Sequence, residues 1–496
     1  MDFLDPSADE IRRWGNAAIE VMANYLGSIR EQRVYPSTTA REIRARLERE
    51  LPDEGVDFER LVESFRDTVV TMSRHNGHPR MFGYVQAPGT AIGALADLLA
   101  STLNANLTAW RSAPAAVEVE RLTIDWIKQI LSFDEHAAGL FVSGGSMANM
   151  AALAAARRAK APEDLMNKGA GSIVKPMRVY ASEETHYSIE KGAALLGIGR
   201  DNVRKVRVDS RYKIDTNDLV AKITEDVEAG HLPFCVVANA GTVMTGAFDP
   251  LAEVGAVAKR FNLWMHVDAC YGGFAALAQS ARPLFDGITQ ADSVALDPHK
   301  WLYLPVDCGC LLYRDAQKAR ATFAHDADYT RVIAQNADEA FAFWDYGPEL
   351  SRRFRALKVW MMLKGVGVRA LGEAIEKDLA CARHLERLVK ASEDFEMLAP
   401  VELSIFCFRH VPQRFKNALS GADDSRRRSI DEELDALNER LLIGLQRDGS
   451  SYLSNARLGG RFSLRGCVMN YRTTPRDMEI LLDDLRRVAA RMEMRK

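Results

Sequence analysis

Asp297-Pro298-His299-Lys300-Trp301 decides how the chain is read. It follows Ser293-Val294-Ala295-Leu296, which reads as a short buried strand, and leads into the apolar Trp301-Leu302-Tyr303-Leu304. A lysine is ordinarily a solvated surface charge. Between two apolar runs it instead reads as a strand-end residue facing a cleft. Thirty-two positions earlier, Asp268 ends the equally apolar Leu263-Trp264-Met265-His266-Val267. The pair is what pyridoxal phosphate chemistry requires. An amine must form a Schiff base with the cofactor aldehyde, and an anion must keep the pyridine nitrogen protonated so that the ring accepts electrons. Lys300 is the candidate for the first and Asp268 for the second. A carboxylate at the end of so apolar a strand needs a partner. A protonated pyridine nitrogen is one; a neighbouring arginine is the structural alternative.

Strand and helix patterns alternate on both sides of this pair. Gly139–Val142, Arg178–Ala181, Phe234–Ala238, Leu263–Val267, Val294–Leu296 and Gly309–Tyr313 read as strands, with helices such as Ala148–Arg158 and Leu251–Phe261 between them. Such alternation predicts an α/β fold with a mostly parallel sheet covered on both faces, whose ligand sits at the carboxyl ends of the strands. Residues 7–75 read as helices, with apolar stripes at Ile11, Trp14, Ala18 and Val21 and at Ile43, Leu47 and Leu51. That segment cannot form a good core alone, so it is expected to pack across a neighbour. Residues 315–350 lack periodicity and read as a mobile lid. Residues 351–395 return to helix. Strand runs at 402–409 and 462–470, a basic helix near 425–447 and a last helix at 475–494 predict a small α+β domain. The division is a helical segment at 1–80, a cofactor-binding large domain at 81–385 and a small domain at 386–496.

Composition closes off other classes. The 496 residues suffice for two or three domains, and a net charge of −3 points to neither nucleic acid nor an anionic membrane as partner. The acidic start Met1-Asp2-Phe3-Leu4-Asp5 does not read as a signal peptide. No run approaches the roughly 18 uncharged apolar residues of a membrane span. Seven scattered cysteines, only Cys308-Gly309-Cys310 closely spaced, predict no metal site and reduced thiols in a cytoplasmic protein.

Other candidates follow strands. Ser143-Gly144-Gly145-Ser146 opens a helix. It is either a tight turn or a phosphate cradle of backbone amides at a helix amino end. In Ser182-Glu183-Glu184-Thr185-His186, the imidazole of His186 could stack on a flat heterocycle or lie on the surface. Thr242, after Ala238-Asn239-Ala240-Gly241, is a cofactor contact or a turn residue. His299 could hold a carboxylate or phosphate, move protons, or be structural. Tyr271-Gly272-Gly273 permits close backbone approach beside Asp268.

Together these residues resemble the pyridoxal-dependent (group II) decarboxylases of the aromatic-L-amino-acid decarboxylase type. The resemblance covers nearly the whole chain. Its most specific pieces are His266-Val267-Asp268-Ala269-Cys270-Tyr271-Gly272-Gly273, Asp297-Pro298-His299-Lys300-Trp301-Leu302 and Ser351-Arg352-Arg353-Phe354-Arg355-Ala356-Leu357-Lys358, supported by His78-Pro79-Arg80-Met81-Phe82-Gly83-Tyr84. It implies the aspartate-aminotransferase-like fold (fold type I) with a seven-stranded type of sheet. It also implies an obligate homodimer with active sites at the interface. Lys300 would be the Schiff-base lysine, Asp268 the partner of the pyridine nitrogen and His186 the residue stacked on the ring. Gly145, Ser146, Thr242, Cys270, Asp297 and His299 would be further cofactor contacts, and Tyr84, Thr108 and Trp110 would line the substrate pocket.

The sequence departs from that pattern in three places. Asp297 stands where many members have Asn, and an ionised acid cannot donate a hydrogen bond to phosphate. Thr108 and Val85-Gln86 make the pocket more polar than that of a strict tryptophan or dopa enzyme. The loop tyrosine that reprotonates Cα in family decarboxylases falls near Phe341, with Tyr329 and Tyr346 flanking it. The expected reaction is decarboxylation of an L-amino acid, aromatic by resemblance, to amine and carbon dioxide. Phe341 supports an alternative, decarboxylation with oxidative deamination to aldehyde, ammonia and peroxide; Tyr346 is the flanking candidate for the proton donor. A non-catalytic binding protein on the same fold is the alternative of another class.

Overall fold

A computed structural model describes residues 4–47, 50–161, 165–173, 175–325 and 339–494. Seven strands form the large sheet: β1 Ala138–Val142, β2 Met177–Ser182, β3 Val203–Val206, β4 Leu232–Asn239, β5 Trp264–Asp268, β6 Ser293–Leu296 and β7 Gly309–Tyr313. Their order is β1-β7-β6-β5-β4-β2-β3, with β7 antiparallel to both neighbours and the remaining pairs parallel. β5, β6 and β7 are buried throughout, as expected of strands covered on both faces by crossover helices. Six of the seven were legible as apolar runs. β3 was not, because Val203-Arg204-Lys205-Val206 is an edge strand with a polar, half-exposed centre.

The small sheet is antiparallel, β10-β11-β9-β8, from β8 Phe395–Met397, β9 Ile405–His410, β10 Ser454–Leu458 and β11 Arg461–Cys467. Gly459 and Gly460 join β10 to β11, both with positive φ (55° and 82°), the requirement of a two-residue hairpin turn that follows strand twist. The helix Asp424–Asp448 and the last helix Pro475–Glu493 lie where the sequence put them. The expected boundary at 385–386 falls inside the helix Val368–Lys390. Its Leu371, Ile375 and Leu379 belong to the core of the large sheet, and its Leu385 and Val389 to that of the small one. The two cores share this helix.

The stretch expected to be irregular contains a helix, Ala316–Phe323, whose start is fixed by Asp315 accepting from the Gln317 backbone N–H. Residues 326–338, the centre of the expected lid, lie outside the described residues. The first helix, Ala8–Ser28, is started by a reciprocal cap between Ser7 and Glu10. Neither it nor Ala40–Arg46 nor Phe58–Ser64 contains a buried residue.

Arg352 ties the chain's middle together. It pairs with Glu120, both side chains fully buried, and donates to the carbonyl oxygens of Leu107 (2.9 Å) and Phe141 (2.8 Å). A buried pair is costly to break because the survivor has no water to solvate it. Glu120→Ala is therefore expected to destabilise the fold by about 3–5 kcal/mol, read as a lower denaturant midpoint. The double replacement Glu120→Leu with Arg352→Met should lose much less.

Candidate active site

A cavity of about 600 Å³ opens at the carboxyl ends of β1, β2, β4, β5 and β6. Lys300, Asp268, His186, His299, Asp297, Cys270, Gly145, Ser146 and Tyr84 all line it. The sheet register explains the convergence: Asp268 ends β5 between Asn239 of β4 and Ala295 of β6, and Lys300 lies on the turn that follows β6.

Lys300 Nζ is 2.9 Å from Asp297 Oδ2. Burial works against the Lys300 ammonium, but the Asp297 carboxylate outweighs it, with support from Cys270 and Asp268, so its pKa rises above the ordinary lysine value. The turn is closed by Lys300 N–H donating to the Asp297 carbonyl (2.8 Å) and Tyr303 N–H to that of Lys300 (3.0 Å). The second Asp297 oxygen, Oδ1, is buried without a hydrogen-bond partner among the described residues, and His299 Nε2 lies 3.7 Å from Oδ2.

Asp268 accepts from Asn149 Nδ2 at 2.8 Å and from the Cys270 backbone N–H at 3.1 Å. Burial pushes this carboxyl up, yet His266, Lys300 and the two donors bring it below the usual carboxylate value. His186 is bound by Ser188 at its Nδ1, and burial lowers its pKa. Above this floor, Gly145 begins the helix Gly145–Lys160. A Cβ on Gly145 would lie 2.5 Å from Cys270 Sγ and 2.9 Å from Asp297 Oδ2, and one on Gly309 2.6 Å from the Gly144 Cα. Only glycines let the loop sit this close to the floor.

Other predicted residues lie elsewhere. Thr242 is buried and is not on the cavity wall. Its hydroxyl meets Thr245 Oγ1 at 3.0 Å and accepts from Ala247 N–H at 3.2 Å, closing a turn that puts Gly241, Val243 and Met244 on the wall instead. Thr108, Trp110, Phe341 and Tyr346 are not on the wall of the same chain either. They form their own cluster. Trp110 N–H donates to the Phe341 carbonyl and Phe343 N–H to that of Thr108, both at 2.9 Å. The Phe341 ring stacks on Tyr346 at 5.7 Å. Tyr329 lies outside the described residues.

Sequence reasoning missed Asn149, Ser188 and Arg465. Arg465 is buried in β11 and lines the cavity. It donates to the carbonyls of Met244 (3.2 Å), Tyr84 (3.1 Å) and Val243 and to Ser454 Oγ (3.2 Å), with no acidic partner among the described residues. The available signal was an arginine inside the apolar run Phe462-Ser463-Leu464-Arg465-Gly466-Cys467. Asn149 had a similar one, a lone amide in an alanine-rich helix.

The residues fit pyridoxal phosphate: an amine and an imidazole on the cavity wall, a buried carboxylate backed by donors, and a glycine loop with a hydroxyl at a helix amino end. Asp297 fits least, since one oxygen is engaged by Lys300 and the other lacks a donor. The description "Pyridoxal-dependent decarboxylase conserved domain" matches residues 41–411. An aromatic-L-amino-acid decarboxylase from Bacillus atrophaeus is 34% identical, with 96% of this chain and 94% of the relative covered. Mouse CSAD superposes with a TM-score of 0.90 at 29% identity, covering 98% and 99% of the two chains. Oryza sativa TDC with PLP and tryptamine does so with 0.89 at 28%, again covering 98% and 99%. Rhodiola rosea 4-hydroxyphenylacetaldehyde synthase gives 0.85 at 28%, covering 98% of each chain.

Overpacking the floor tests its tightness. Gly145→Ala is expected to destabilise the protein by about 1–3 kcal/mol, seen as a lower Tm. Adding Cys270→Ala should restore part of that loss by removing the nearer of the two clashing atoms.

Proposed function

The chain belongs to the pyridoxal-dependent decarboxylases, and on that premise we propose that it converts an aromatic L-amino acid to the corresponding amine and carbon dioxide. The observation that carries the reading is the convergence of Lys300, Asp268 and the Gly144–Ser146 loop on one cavity floor. Bound pyridoxal phosphate supplies the sink for the electron pair released when the Cα–carboxylate bond breaks. Lys300 would hold its aldehyde, and Asp268 would serve its ring nitrogen as an anion. Gly145 N–H and Ser146 hold its phosphate with the helix amino end. His186 and His299, both on the cavity wall, would be further contacts to it. Cys270 acts by packing beneath Gly145, Thr242 by shaping its turn, and Asp297 through its contact with Lys300 rather than with phosphate. Arg465, a buried cation without an acid among the described residues, holds the substrate carboxylate, and Tyr84 borders it.

The same reading makes the protein a homodimer. In support, three amino-terminal helices have no buried residue, and Leu98, Leu99 and Leu103 of the helix Ala91–Leu103 are all exposed. The 1–80 segment then serves dimerisation. The cluster of Thr108, Trp110, Phe341 and Tyr346 completes the partner's cavity, with Tyr346 the candidate to return a proton to Cα. Seven buried, unpaired cysteines are in keeping with a reducing compartment, the cytoplasm. Among the described residues no helix is long and apolar enough to cross a membrane.

Phe341 favours a second reading. Its ring has no acidic proton to return to Cα, and dioxygen and water would then convert the amino acid to aldehyde, carbon dioxide, ammonia and peroxide.

Turnover of a panel of L-amino acids in air, with mass spectrometry and a peroxide readout, separates the readings. Amine without peroxide is expected. Peroxide stoichiometric with aldehyde would replace the first reading by the second, and Phe341→Tyr should then suppress it. Lys300→Ala is expected to lower turnover by at least about a thousandfold and to abolish the covalent cofactor absorbance. Arg465→Met should raise KM by about ten- to hundredfold, the worth of a hydrogen bond to a charged group, while leaving the cofactor band in place.

A further inference from the structure

A buried chain of hydrogen bonds runs behind Asp268, and its donors and acceptors follow from chemistry. A carboxylate only accepts, so the Asn149 atom 2.8 Å from Asp268 Oδ2 is its amide nitrogen. The Asn149 oxygen then faces His266 Nε2 at 2.9 Å, which makes Nε2 the protonated nitrogen of that ring. His266 is fully buried, and burial lowers its pKa to about 4, so it is neutral at neutral pH. Its Nδ1 accordingly accepts from Ser293 Oγ at 2.8 Å, and that oxygen accepts from the Trp264 indole N–H, also at 2.8 Å.

The second N–H of Asn149 goes to Ser188 Oγ at 2.9 Å. Ser188 directs two donors at His186 Nδ1, its hydroxyl at 2.8 Å and its backbone N–H at 3.2 Å. A nitrogen that accepts from an amide carries no proton, so the proton of neutral His186 sits on Nε2. That atom has no hydrogen-bond partner among the described residues, and His186 lines the cavity.

We propose that Asn149 is a positioning residue for the decarboxylase reaction: one amide aligns the Asp268 carboxylate and, through Ser188, fixes His186 as the tautomer that offers an N–H to the cavity. The inference rests on the roles given above to Asp268 and His186. Around His186, burial is the largest influence and lowers its pKa; Asp268 and Asp297 raise it, Lys300 lowers it, and the Tyr187 ring lies 4.3 Å away.

The test compares holoenzymes of the wild type, Asn149→Ala, Ser188→Ala and Ser188→Thr by kcat/KM against pH and by cofactor dissociation followed in absorbance. The Ser188 hydroxyl bonds the unprotonated Nδ1 and so favours the neutral ring. Removing it should raise the His186 pKa and move the acid limb of kcat/KM to higher pH by roughly one unit. Ser188→Thr should return the limb to its place. Cofactor dissociation should stay within about twofold in Ser188→Ala but weaken by about tenfold or more in Asn149→Ala, where Asp268 loses a donor. An unmoved acid limb in Ser188→Ala, or wild-type cofactor retention in Asn149→Ala, overturns the inference and leaves the functional reading intact. If Asn149→Ala does not fold, Asn149→Ser is read for the Asp268 branch, and the Ser188 pair still decides the His186 branch. A wild-type protein that takes up no cofactor overturns both.

Discussion

Burying a carboxylate at the end of a central strand is unfavourable unless donors replace the water it gives up, and the architecture around Asp268 follows from that demand. Its two nearest donors come from different places. One is the backbone of Cys270, two residues on, and the other is an amide on the helix after β1. The second exists only because β1 is placed so that the helix Gly145–Lys160 crosses behind β5. The amide is oriented in turn by His266, the register partner of Ser293 on β6. An ionised acid on this floor therefore depends on the order of the strands and not on its immediate neighbours alone.

Close approach is the second constraint. A Cβ on Gly145 would meet Cys270 and Asp297, and one on Gly309 would meet Gly144, at distances that no Cβ could occupy. The antiparallel run of β7 brings Gly309 to the same end of the sheet as the loop after β1, pairing it with Val142. Interiors packed at this density respond to a single added methyl.

Much of this was legible in the sequence, for physical reasons. Strands buried on both faces read as unbroken apolar runs, and a charged residue at the end of such a run is conspicuous, which is why Asp268 and Lys300 stood out. Edge strand β3 lacked that contrast. Asn149, Ser188 and Arg465 are single polar residues whose partners include residues 39 to 381 positions away. No local pattern carries such information. The two readings of Thr242 stayed open in the sequence because a hydroxyl after a strand can face a ligand or close its own turn, and the chain decides this only on folding. The segments holding Trp110 and Phe341 were recognised individually; their pairing with each other was not.

The helix Val368–Lys390 gives one element two obligations. Its first half fills the core of the large sheet and its second half that of the small one. Each residue added to a helix rotates everything beyond it by about 100°. A single insertion between Leu379 and Leu385 would keep one half seated and turn the apolar stripe of the other toward solvent. The length of this segment is thus fixed as firmly as its apolar faces, although its outward residues are free to vary. It acts as a ruler between the parts of the molecule that form the two sides of the cavity.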